Sequence, residues 1–299
     1  MPMRNNVRIN KQVSGATGVF GIIGKPVTFS LSPMIHNTIS NFLEIDTVYV
    51  PFPVGDGDLP KAIAGAHGLG IKGFNVTHPY KQDVIALLTH VDPLALKIGA
   101  VNTLKYEERG YSGYNTDADG LYTSLIQNNI SLQGKDIVVL GAGGAARAVC
   151  MMAGNYGAKS ITILNRTQTN AQLLAIEVKK YYNISISALT LEQWDIIPQN
   201  CICFQTTSVG MGLSKDVAPI EDIQFYKRIS VAVDLIYNPF ETRFLKKSKE
   251  NGSYIINGFG MLLYQAIRAY EIWNDIQLTD AQLKLLLDKI RQAYTQMTV

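Results

Sequence analysis

The segment 136–167 constrains the fold of this chain more than any other part of the sequence. A strand-like run of apolar residues leads into Gly-Ala-Gly-Gly-Ala-Ala at 141–146, and a helical stretch and a second strand-like run, 160–164, follow. This G-x-G-x-x-A pattern between a strand and a helix is typical of a βαβ unit that binds a dinucleotide. The sequence therefore predicts a dinucleotide-binding half-domain.

Each small residue of this turn has a physical role. Gly141 permits the tight turn, Gly143 lets backbone N–H groups approach a pyrophosphate, and Ala146 keeps the helix close to the sheet. The N-terminus of the helix then points its partial positive charge at the phosphates.

The end of the second strand predicts which dinucleotide binds. A site for NAD usually has Asp or Glu there, whereas this chain has Arg166, and the next carboxylate is Glu177. A guanidinium attracts a 2′-phosphate, and such a contact contributes about 1.5–3 kcal/mol. That energy corresponds to about a tenfold to hundredfold preference for NADP(H). An exposed arginine in an ordinary β–α loop stays open as the alternative.

Length and composition are those of a soluble enzyme with two domains. The chain has 299 residues, of which 47% are hydrophobic and 17% charged, and its net charge of +3 is spread thinly. No basic stripe suggests a nucleic-acid partner, and no segment approaches the roughly 20 apolar residues that cross a membrane.

The cysteines and histidines give no indication of a metal site. Cys150, Cys201 and Cys203 are an odd, sparse set without metal spacing, which fits a reducing cytoplasm. We expect Cys201 and Cys203 to be small core residues on one face of a strand. The histidines lack the spacing of a zinc site, so no metal is expected.

Strand-like and helical stretches alternate along the chain. Strand-like runs lie at 19–23, 47–52, 72–76, 101–106, 136–140, 160–164, 184–189, 201–207, 230–237 and 254–257. Helical patterns lie at 33–44, 58–68, 79–90, 92–98, after Asn238-Pro239, and at 260–274 and 281–294. The alternation predicts an α/β protein with mainly parallel sheets, and we interpret the polar stretch 113–120 as a junction between two domains.

Polar side chains concentrate in five short places outside the nucleotide-binding pattern: 30–33, 75–81, 102–103, 115–117 and Gln265. The carboxyl ends of parallel strands are where open α/β sheets bind small molecules. Structural explanations also exist, because Ser32 can be a helix N-cap and Asn75 and Asn102 can stabilise turns. Since a zinc site and a Ser-Tyr-x-x-x-Lys pattern are both missing from the sequence, Lys81 is the best candidate for a proton donor.

These motifs, in this order, resemble the shikimate dehydrogenase family over nearly the whole chain. The matching segments are SLSP (30–33), NVTHPYK (75–81), GAVNT (99–103), NTD (115–117), GAGGAAR (141–147), NRT (165–167), DLIYNP (234–239) and NGFGMLLYQ (257–265). The resemblance implies an enzyme of aromatic amino acid biosynthesis that reversibly reduces 3-dehydroshikimate to shikimate with NADPH.

The resemblance also implies a domain organisation. A mobile tail, 1–15, would precede an N-terminal α/β substrate domain, 16–117, which C-terminal helices at 258–299 complete. A Rossmann-type NADP-binding domain would occupy 118–257. The expected partner is the small-molecule substrate, with neither nucleic acid nor membrane, and the expected assembly is a monomer or a homodimer.

Roles for individual residues follow from the resemblance. The substrate carboxylate would be bound by Ser30, Ser32 and Tyr237, and the ring hydroxyls by Asn75, Thr77, Asn102, Asp117 and Gln265. The catalytic pair, which also contacts the substrate, would be Lys81 and Asp117. NADP would be bound by Gly141, Ala142, Gly143, Gly144, Ala145, Asn165, Arg166, Thr167, Thr207, Met211, Leu235 and Gly258.

The expected chemistry of the catalytic pair is proton transfer. During reduction, negative charge builds on the ketone oxygen, and Lys81 would hydrogen-bond to that oxygen and donate a proton. Asp117 nearby would favour the charged lysine, because an opposite charge stabilises it. Whether Lys81 is also the base in the reverse direction stays open.

Three positions depart from the family pattern. Asn170 stands where a second basic residue often follows N-R-T, Gln205 stands where asparagine is usual, and Ala118 replaces the glycine after Asp117. Two alternatives therefore stay open: a quinate/shikimate dehydrogenase that uses NAD, and a non-catalytic homologue that senses shikimate or quinate.

Overall fold

The computed structural model describes residues 12–28 and 30–298. It divides into two compact units. Unit 1 contains the described residues up to Thr116 and those from Gln265 onward, and unit 2 contains Asp117–Tyr264. Helix α4 (Thr116–Gln127) begins at the first division, and helix α9 (Gly258–Asn274) continues through the second.

Unit 1 is built on a six-stranded sheet in the order β2-β1-β3-β5-β6-β4. Its strands are β1 (Gly18–Gly24), β2 (Thr47–Pro53), β3 (Gly73–Val76), β4 (His90–Val91), β5 (Thr103–Glu107) and β6 (Gly110–Tyr114). β1 pairs in parallel with β2 and β3, and β4 with β6, whereas β5 is antiparallel to β3 and β6. The carboxyl ends of β3 and β6 therefore meet the start of β5 at one end of the sheet.

The helices of unit 1 pack against this sheet or against one another. They are α1 (Ser32–Phe42), α2 (Leu59–Gly68), α3 (Pro93–Ile98), α10 (Asp280–Thr298) and the part of α9 that starts at Gln265. The boundaries of α3 follow from its sequence. Asp92 accepts hydrogen bonds from two N–H groups of the first turn, and Gly99 ends the helix in the left-handed conformation at φ 69°.

Unit 2 is built on a sheet in which every neighbouring pair is parallel. Its strands are β7 (Asp136–Leu140), β8 (Ser160–Leu164), β9 (Ser185–Leu189), β10 (Cys201–Gln205), β11 (Ile229–Asp234) and β12 (Tyr254–Ile256). Their order is β12-β11-β10-β7-β8-β9, so the direction of winding reverses between β7 and β10. Open sheets of this kind bind ligands in the crevice outside the carboxyl ends at such a point.

The helices of unit 2 are α4, α5 (Gly144–Asn155), α6 (Gln168–Lys179), α7 (Ile223–Tyr226), α8 (Arg243–Glu250) and the first residues of α9. The predicted α/β fold with mainly parallel sheets is confirmed, because only the pairs β3–β5 and β5–β6 of the described sheets are antiparallel.

The helix predicted over 79–90 is wrong. A turn in which Tyr80 N donates to the Thr77 carbonyl is followed by a short 3-10 helix, Asp83–Leu87, and then by β4. The Tyr80 hydroxyl is anchored to the carbonyl oxygens of Val54 and Gly55, at 2.9 and 3.0 Å. Tertiary hydrogen bonds of this kind override the local helical pattern.

The sequence did not predict strand β6. Because this strand pairs with β5, the polar junction predicted at 113–120 is shorter than expected. The β5–β6 hairpin turns at Glu108-Arg109, and its register pairs Thr103 with Tyr114. The alternation in Gly-Tyr-Ser-Gly-Tyr is short and contains two glycines, which weakens a strand pattern. The junction therefore begins at Asn115.

The three cysteines are free and buried. Cys201 and Cys203 lie in one core cluster of unit 2, as predicted. Burial raises the pKa of the Cys150 and Cys201 thiols to about 12, and it raises the pKa of Cys203 well above its ordinary value.

Of the tail predicted at 1–15, residues 1–11 lie outside the described residues. In the next part of the chain, Ser14 N donates to Thr17 Oγ1 at 2.9 Å, and Thr17 N to the Ser14 carbonyl at 3.2 Å. Among the helices that the structure describes, none combines the length and the apolar character that a membrane span needs.

Candidate active site

Asn75 lies at the centre of a hydrogen-bond network at one end of the unit 1 sheet. It is the third residue of β3 and is only 5% exposed. Its Oδ1 accepts a hydrogen bond from the Tyr49 hydroxyl at 2.8 Å, and its Nδ2 donates to Thr103 Oγ1 and to the Asn102 carbonyl at 3.2 and 3.3 Å. The amide is therefore fixed by hydrogen bonds, and its predicted contact with a substrate stays a prediction.

Asn102 ties the start of β5 to the end of β6. Its Oδ1 accepts from Thr116 N at 2.7 Å, and its Nδ2 donates to Thr116 Oγ1 at 3.0 Å. Thr103 Oγ1 and Thr116 Oγ1 lie 2.9 Å apart. The side chain of Asn102 thus organises the polar network beside Asn75, and its predicted contact with a substrate hydroxyl stays a prediction.

The two serines at 30 and 32 lie at the start of α1. Ser32 is the first residue of that helix, and Leu31 occupies the N-cap position without a side-chain hydrogen bond. The interpretation of Ser32 as the N-cap is therefore wrong by one residue. Ser30 Oγ accepts from Ser32 N at 3.2 Å, and both residues retain a hydroxyl proton that can be donated to an anion.

Lys81 is half-buried and follows the carboxyl end of β3. Its carbonyl accepts from Val101 N at 2.8 Å, and upstream Thr77 N donates to the Ile23 carbonyl at 2.8 Å. The segment that carries Thr77 and Lys81 is thus bound to β1 on one side and to the segment before β5 on the other.

Three further predicted residues lie in different parts of the two units. Gln265, 7% exposed, is on the portion of α9 that belongs to unit 1. Asp117 is half-buried in the first turn of α4, and Tyr237 is half-buried after β11; both belong to unit 2. The pairing of Asp117 with Lys81 stays a prediction.

In unit 2, the glycine turn forms an open cradle at the N-terminus of α5. Gly141 has φ 110°, and a Cβ there would lie 2.7 Å from Thr206 Oγ1, so only glycine fits. A Cβ added at Gly143 or Gly144 would meet nothing within 4 Å. Gly143 is the N-cap of α5 and offers no side-chain cap, so the first N–H groups can bind a phosphate.

The segment 165–167 follows β8, beside that turn in the sheet order. Asn165 Nδ2 donates to the Thr167 carbonyl at 2.8 Å, and Arg166 is exposed. The next carboxylate along the chain, Glu177, forms an ion pair with Arg147 of α5. The cradle and an exposed guanidinium fit a dinucleotide that carries an additional phosphate.

Gln205 holds the loop after β10. Its side chain is fully buried, and its Oε1 accepts from Thr207 N at 2.6 Å. Its Nε2 donates to the carbonyls of Val209 and Thr207, at 2.8 and 3.2 Å. The longer side chain in place of the usual asparagine is thus satisfied by the loop that leads to Met211.

Asp234, the last residue of β11, is a fully buried carboxyl group. Ile236 N donates to its Oδ1 at 3.0 Å, and Thr242 Oγ1 donates to its Oδ2 at 2.6 Å. Burial raises the pKa of this carboxyl from 3.8 to about 6, and the two hydrogen bonds oppose that rise.

Gly258 lies against the segment that follows Asp234. Its N–H donates to the Ile236 carbonyl at 3.0 Å, and a Cβ at this position would lie 2.1 Å from the Leu235 carbonyl oxygen. Leu235 N in turn donates to the Gln205 carbonyl at 3.1 Å. These contacts hold the ends of β10 and β11 and the start of α9 together at the carboxyl end of the sheet.

Two hydroxyl groups fix the Asn75 amide: that of Tyr49, which the sequence reasoning missed, and that of Thr103, which it placed in a polar segment without a role. No motif marks Tyr49, because it is an ordinary aromatic residue in a strand-like run. No group of three or more acidic, histidine or cysteine residues suited to a metal is found among the described residues.

The parallel sheet of unit 2 with its glycine turn is a Rossmann-type cofactor unit, and the comparisons with known proteins place the chain among the oxidoreductases. A family model described as the shikimate dehydrogenase substrate binding domain matches residues 22–104, and one described as shikimate / quinate 5-dehydrogenase matches 124–210. A shikimate dehydrogenase (NADP(+)) of Caldanaerobacter subterraneus is 40% identical over 262 residues, covering 88% of this chain and 93% of that protein.

Solved structures agree with these matches. Shikimate 5-dehydrogenase from Listeria monocytogenes, in complex with shikimate and NAD, has a TM-score of 0.85 and 29% identity, covering 93% of this chain and 99% of that chain. A shikimate dehydrogenase in complex with NADP+ has a TM-score of 0.83 and 37% identity, covering 95% and 99%. The chain belongs to the shikimate dehydrogenase family.

Proposed function

We propose that the protein is an NADP-dependent shikimate dehydrogenase that reversibly reduces 3-dehydroshikimate to shikimate. The observation that carries the proposal is the meeting, at one end of the unit 1 sheet, of Asn75, Asn102 and the segment that bears Lys81. Hydroxyl and amide groups of this kind suit a small polyhydroxy acid better than an apolar ligand. The names of the relatives support the same activity.

We propose that 16–117, completed by 258–299, form the substrate domain and that 118–257 form the NADP domain. The substrate carboxylate would be bound by Ser30, Ser32 and Tyr237. The ring hydroxyls would be bound by Asn75, Thr77, Asn102, Asp117 and Gln265. Neutral hydroxyl donors suit the carboxylate because they rotate to meet it.

Lys81 is the proposed proton donor. When NADPH is bound, it supplies the hydride that adds to the ketone carbon of the substrate. Lys81 Nζ hydrogen-bonds to the ketone oxygen, stabilises the negative charge that builds there, and gives it a proton, which completes the hydroxyl group. The neutral amine that results regains a proton from solvent. Asp117 would orient the lysine and favour its charged form.

The proposed NADP contacts all lie in unit 2. The pyrophosphate would be bound at the turn of Gly141, Ala142, Gly143, Gly144 and Ala145, and the 2′-phosphate by Asn165, Arg166 and Thr167. The nicotinamide would lie against Thr207, Met211, Leu235 and Gly258, which the hydrogen bonds of Gln205 and the close approach of Gly258 hold in place.

Use of NAD is the second candidate function. Asn170 stands where a basic residue often follows N-R-T, and the similar structure from Listeria monocytogenes contains NAD. Comparing kcat/KM for shikimate with each cofactor separates the two. We expect NADP to be favoured about tenfold to hundredfold. Equal or better efficiency with NAD would reject NADP specificity, and no shikimate-dependent reduction of either cofactor would reject the dehydrogenase.

We also propose a reducing, cytoplasmic location, supported by three free and buried cysteines. The proposed assembly is a monomer or a homodimer. Sedimentation equilibrium of the purified protein distinguishes the two, and a larger assembly would contradict both.

A further inference from the structure

The hydroxyl of Tyr49 contacts Asn75, a residue that is proposed to bind the substrate. Tyr49 lies on β2 and is 3% exposed, and its hydroxyl is 2.8 Å from Asn75 Oδ1 on β3. Burial raises the pKa of Tyr49 well above its ordinary value, and the Ser32 hydroxyl acts in the opposite direction. A buried hydroxyl on β2 therefore donates a hydrogen bond to a polar residue on β3.

The register of the sheet explains how these residues meet. In β1, Phe20 is paired with Tyr49 of β2, and Ile22 is paired with Asn75 of β3. Residues two apart in a strand share one face, so Tyr49 and Asn75 lie on the same face with β1 between them. The phenol ring is long enough to cross that strand and place its hydroxyl at the amide.

The hydrogen bonds fix which way the Asn75 amide faces. The Asn102 carbonyl can only accept, so it must face the NH2 group of Asn75. The oxygen of Asn75 then faces Tyr49, whose hydroxyl proton is committed to it.

The ring of Tyr49 is itself held by stacking. His36, one helical turn after Ser32, packs on it with ring centroids 4.3 Å apart and planes at 11°. The ring centroids of Trp273 and His36 lie 5.0 Å apart. Burial lowers the pKa of His36 to about 3, opposed by the nearby Asn75 amide, and neither ring nitrogen makes a well-formed hydrogen bond to the described residues. A neutral, apolar-packed imidazole thus supports the tyrosine.

We propose that Tyr49 is a positioning residue of the substrate site, which fixes the orientation of the Asn75 amide. This inference rests on the proposed function. Tyr49 acts through Asn75, so removing its hydroxyl should weaken substrate binding while leaving cofactor binding in the other unit intact.

The variant Tyr49→Phe tests this, because it keeps the ring and its stacking on His36. A buried Asn75 oxygen without a donor is free to turn, and the loss of one such hydrogen bond corresponds to about a 5- to 30-fold change in an equilibrium constant. We expect the KM for shikimate to rise by about that factor, with the KM for NADP and kcat changed less than about twofold.

The chain offers a matched control in Tyr270→Phe. Tyr270 is also a buried tyrosine of unit 1 that faces His36, but its hydroxyl bonds to Ser40 Oγ at 3.2 Å and lies 3.3 Å from Thr47 Oγ1. Tyr49→Phe and Tyr270→Phe each remove one buried, hydrogen-bonded hydroxyl, so both variants should lose thermal stability to a similar degree. Only Tyr49→Phe should change the KM for shikimate. An equal rise of KM in both variants would overturn the proposal, since any buried hydroxyl would then have the same effect.

A double-mutant cycle tests whether Tyr49 acts through Asn75. In an Asn75→Ser background, Tyr49→Phe should cause no further rise in the KM for shikimate, and additive rises would overturn the proposal. If the double variant does not fold, Tyr49→Phe alone still tests the proposal, because an unchanged KM for shikimate would overturn it. Failure of the proposed function is recognised separately, because the wild-type protein would then show no shikimate-dependent formation of reduced cofactor, and the inference would fall with it.

Discussion

The buried carboxyl of Asp234 should make the stability of the protein depend on pH. Its pKa in the folded protein is about 6, against an ordinary value of 3.8. At 1.36 kcal/mol per pKa unit, ionising this group in the folded state costs about 3 kcal/mol. Below about pH 3 the group is protonated in both states and contributes nothing. As the pH rises from about 4 to about 6, the unfolded state ionises first, and stability is lost.

The variant Asp234→Asn removes the ionisation while keeping the shape of the side chain. One amide oxygen can still accept a hydrogen bond from Ile236 N or from Thr242. We expect the variant to match the wild type within about 1 kcal/mol at pH 4.5 and to exceed it by about 2–3 kcal/mol at pH 7.5.

Urea unfolding at several pH values between 4.5 and 7.5 measures this difference. Asp195→Asn, an exposed position in the same unit, is the control for losing one negative charge. Its stability should run parallel to that of the wild type. A constant difference between Asp234→Asn and the wild type over the whole range would refute the reasoning, because the carboxyl would then ionise equally easily in both states.

Three further changes test the proposed chemistry. Lys81→Ala should lower kcat by about 10²–10⁴-fold with a smaller change in the KM for shikimate, as steady-state kinetics would show. Arg166→Ala should raise the KM for NADP about tenfold to hundredfold and leave the KM for NAD within about twofold. Gln205→Asn shortens the side chain so that it no longer reaches both loop carbonyls, and the KM for NADP should rise about 2- to 10-fold. An unchanged kcat in Lys81→Ala would contradict the first expectation. An equal loss with NADP and NAD in Arg166→Ala would contradict the second, and an unchanged KM for NADP in Gln205→Asn would contradict the third.

The nucleotide-binding half of the fold was predictable because its signals are local. The turn at 141–146 needs small residues for reasons that hold within a few residues of chain, and the structure places Gly141 at φ 110° with no room for a Cβ. The cysteines of β10 were likewise recognisable from their spacing in an apolar run.

The substrate half was less predictable because its contacts are distant in sequence. The helix predicted at 79–90 does not form, since Tyr80 and Thr89 bind to the backbone of Val54 and Tyr111 instead. Tyr49 reaches Asn75 only because β1 lies between their strands in a particular register. A linear motif cannot report such a register, so the motif residues were found and the residue that orients one of them was not.

The burial of all three thiols makes the protein a convenient background for site-specific labelling. Burial raises the pKa of the Cys150 and Cys201 thiols, so the reactive thiolate is scarce near neutral pH, and it also hinders access of a reagent. A single cysteine introduced at an exposed position should therefore accept a maleimide fluorophore alone. Spectroscopic probes can thus be attached to either unit without first removing a native residue.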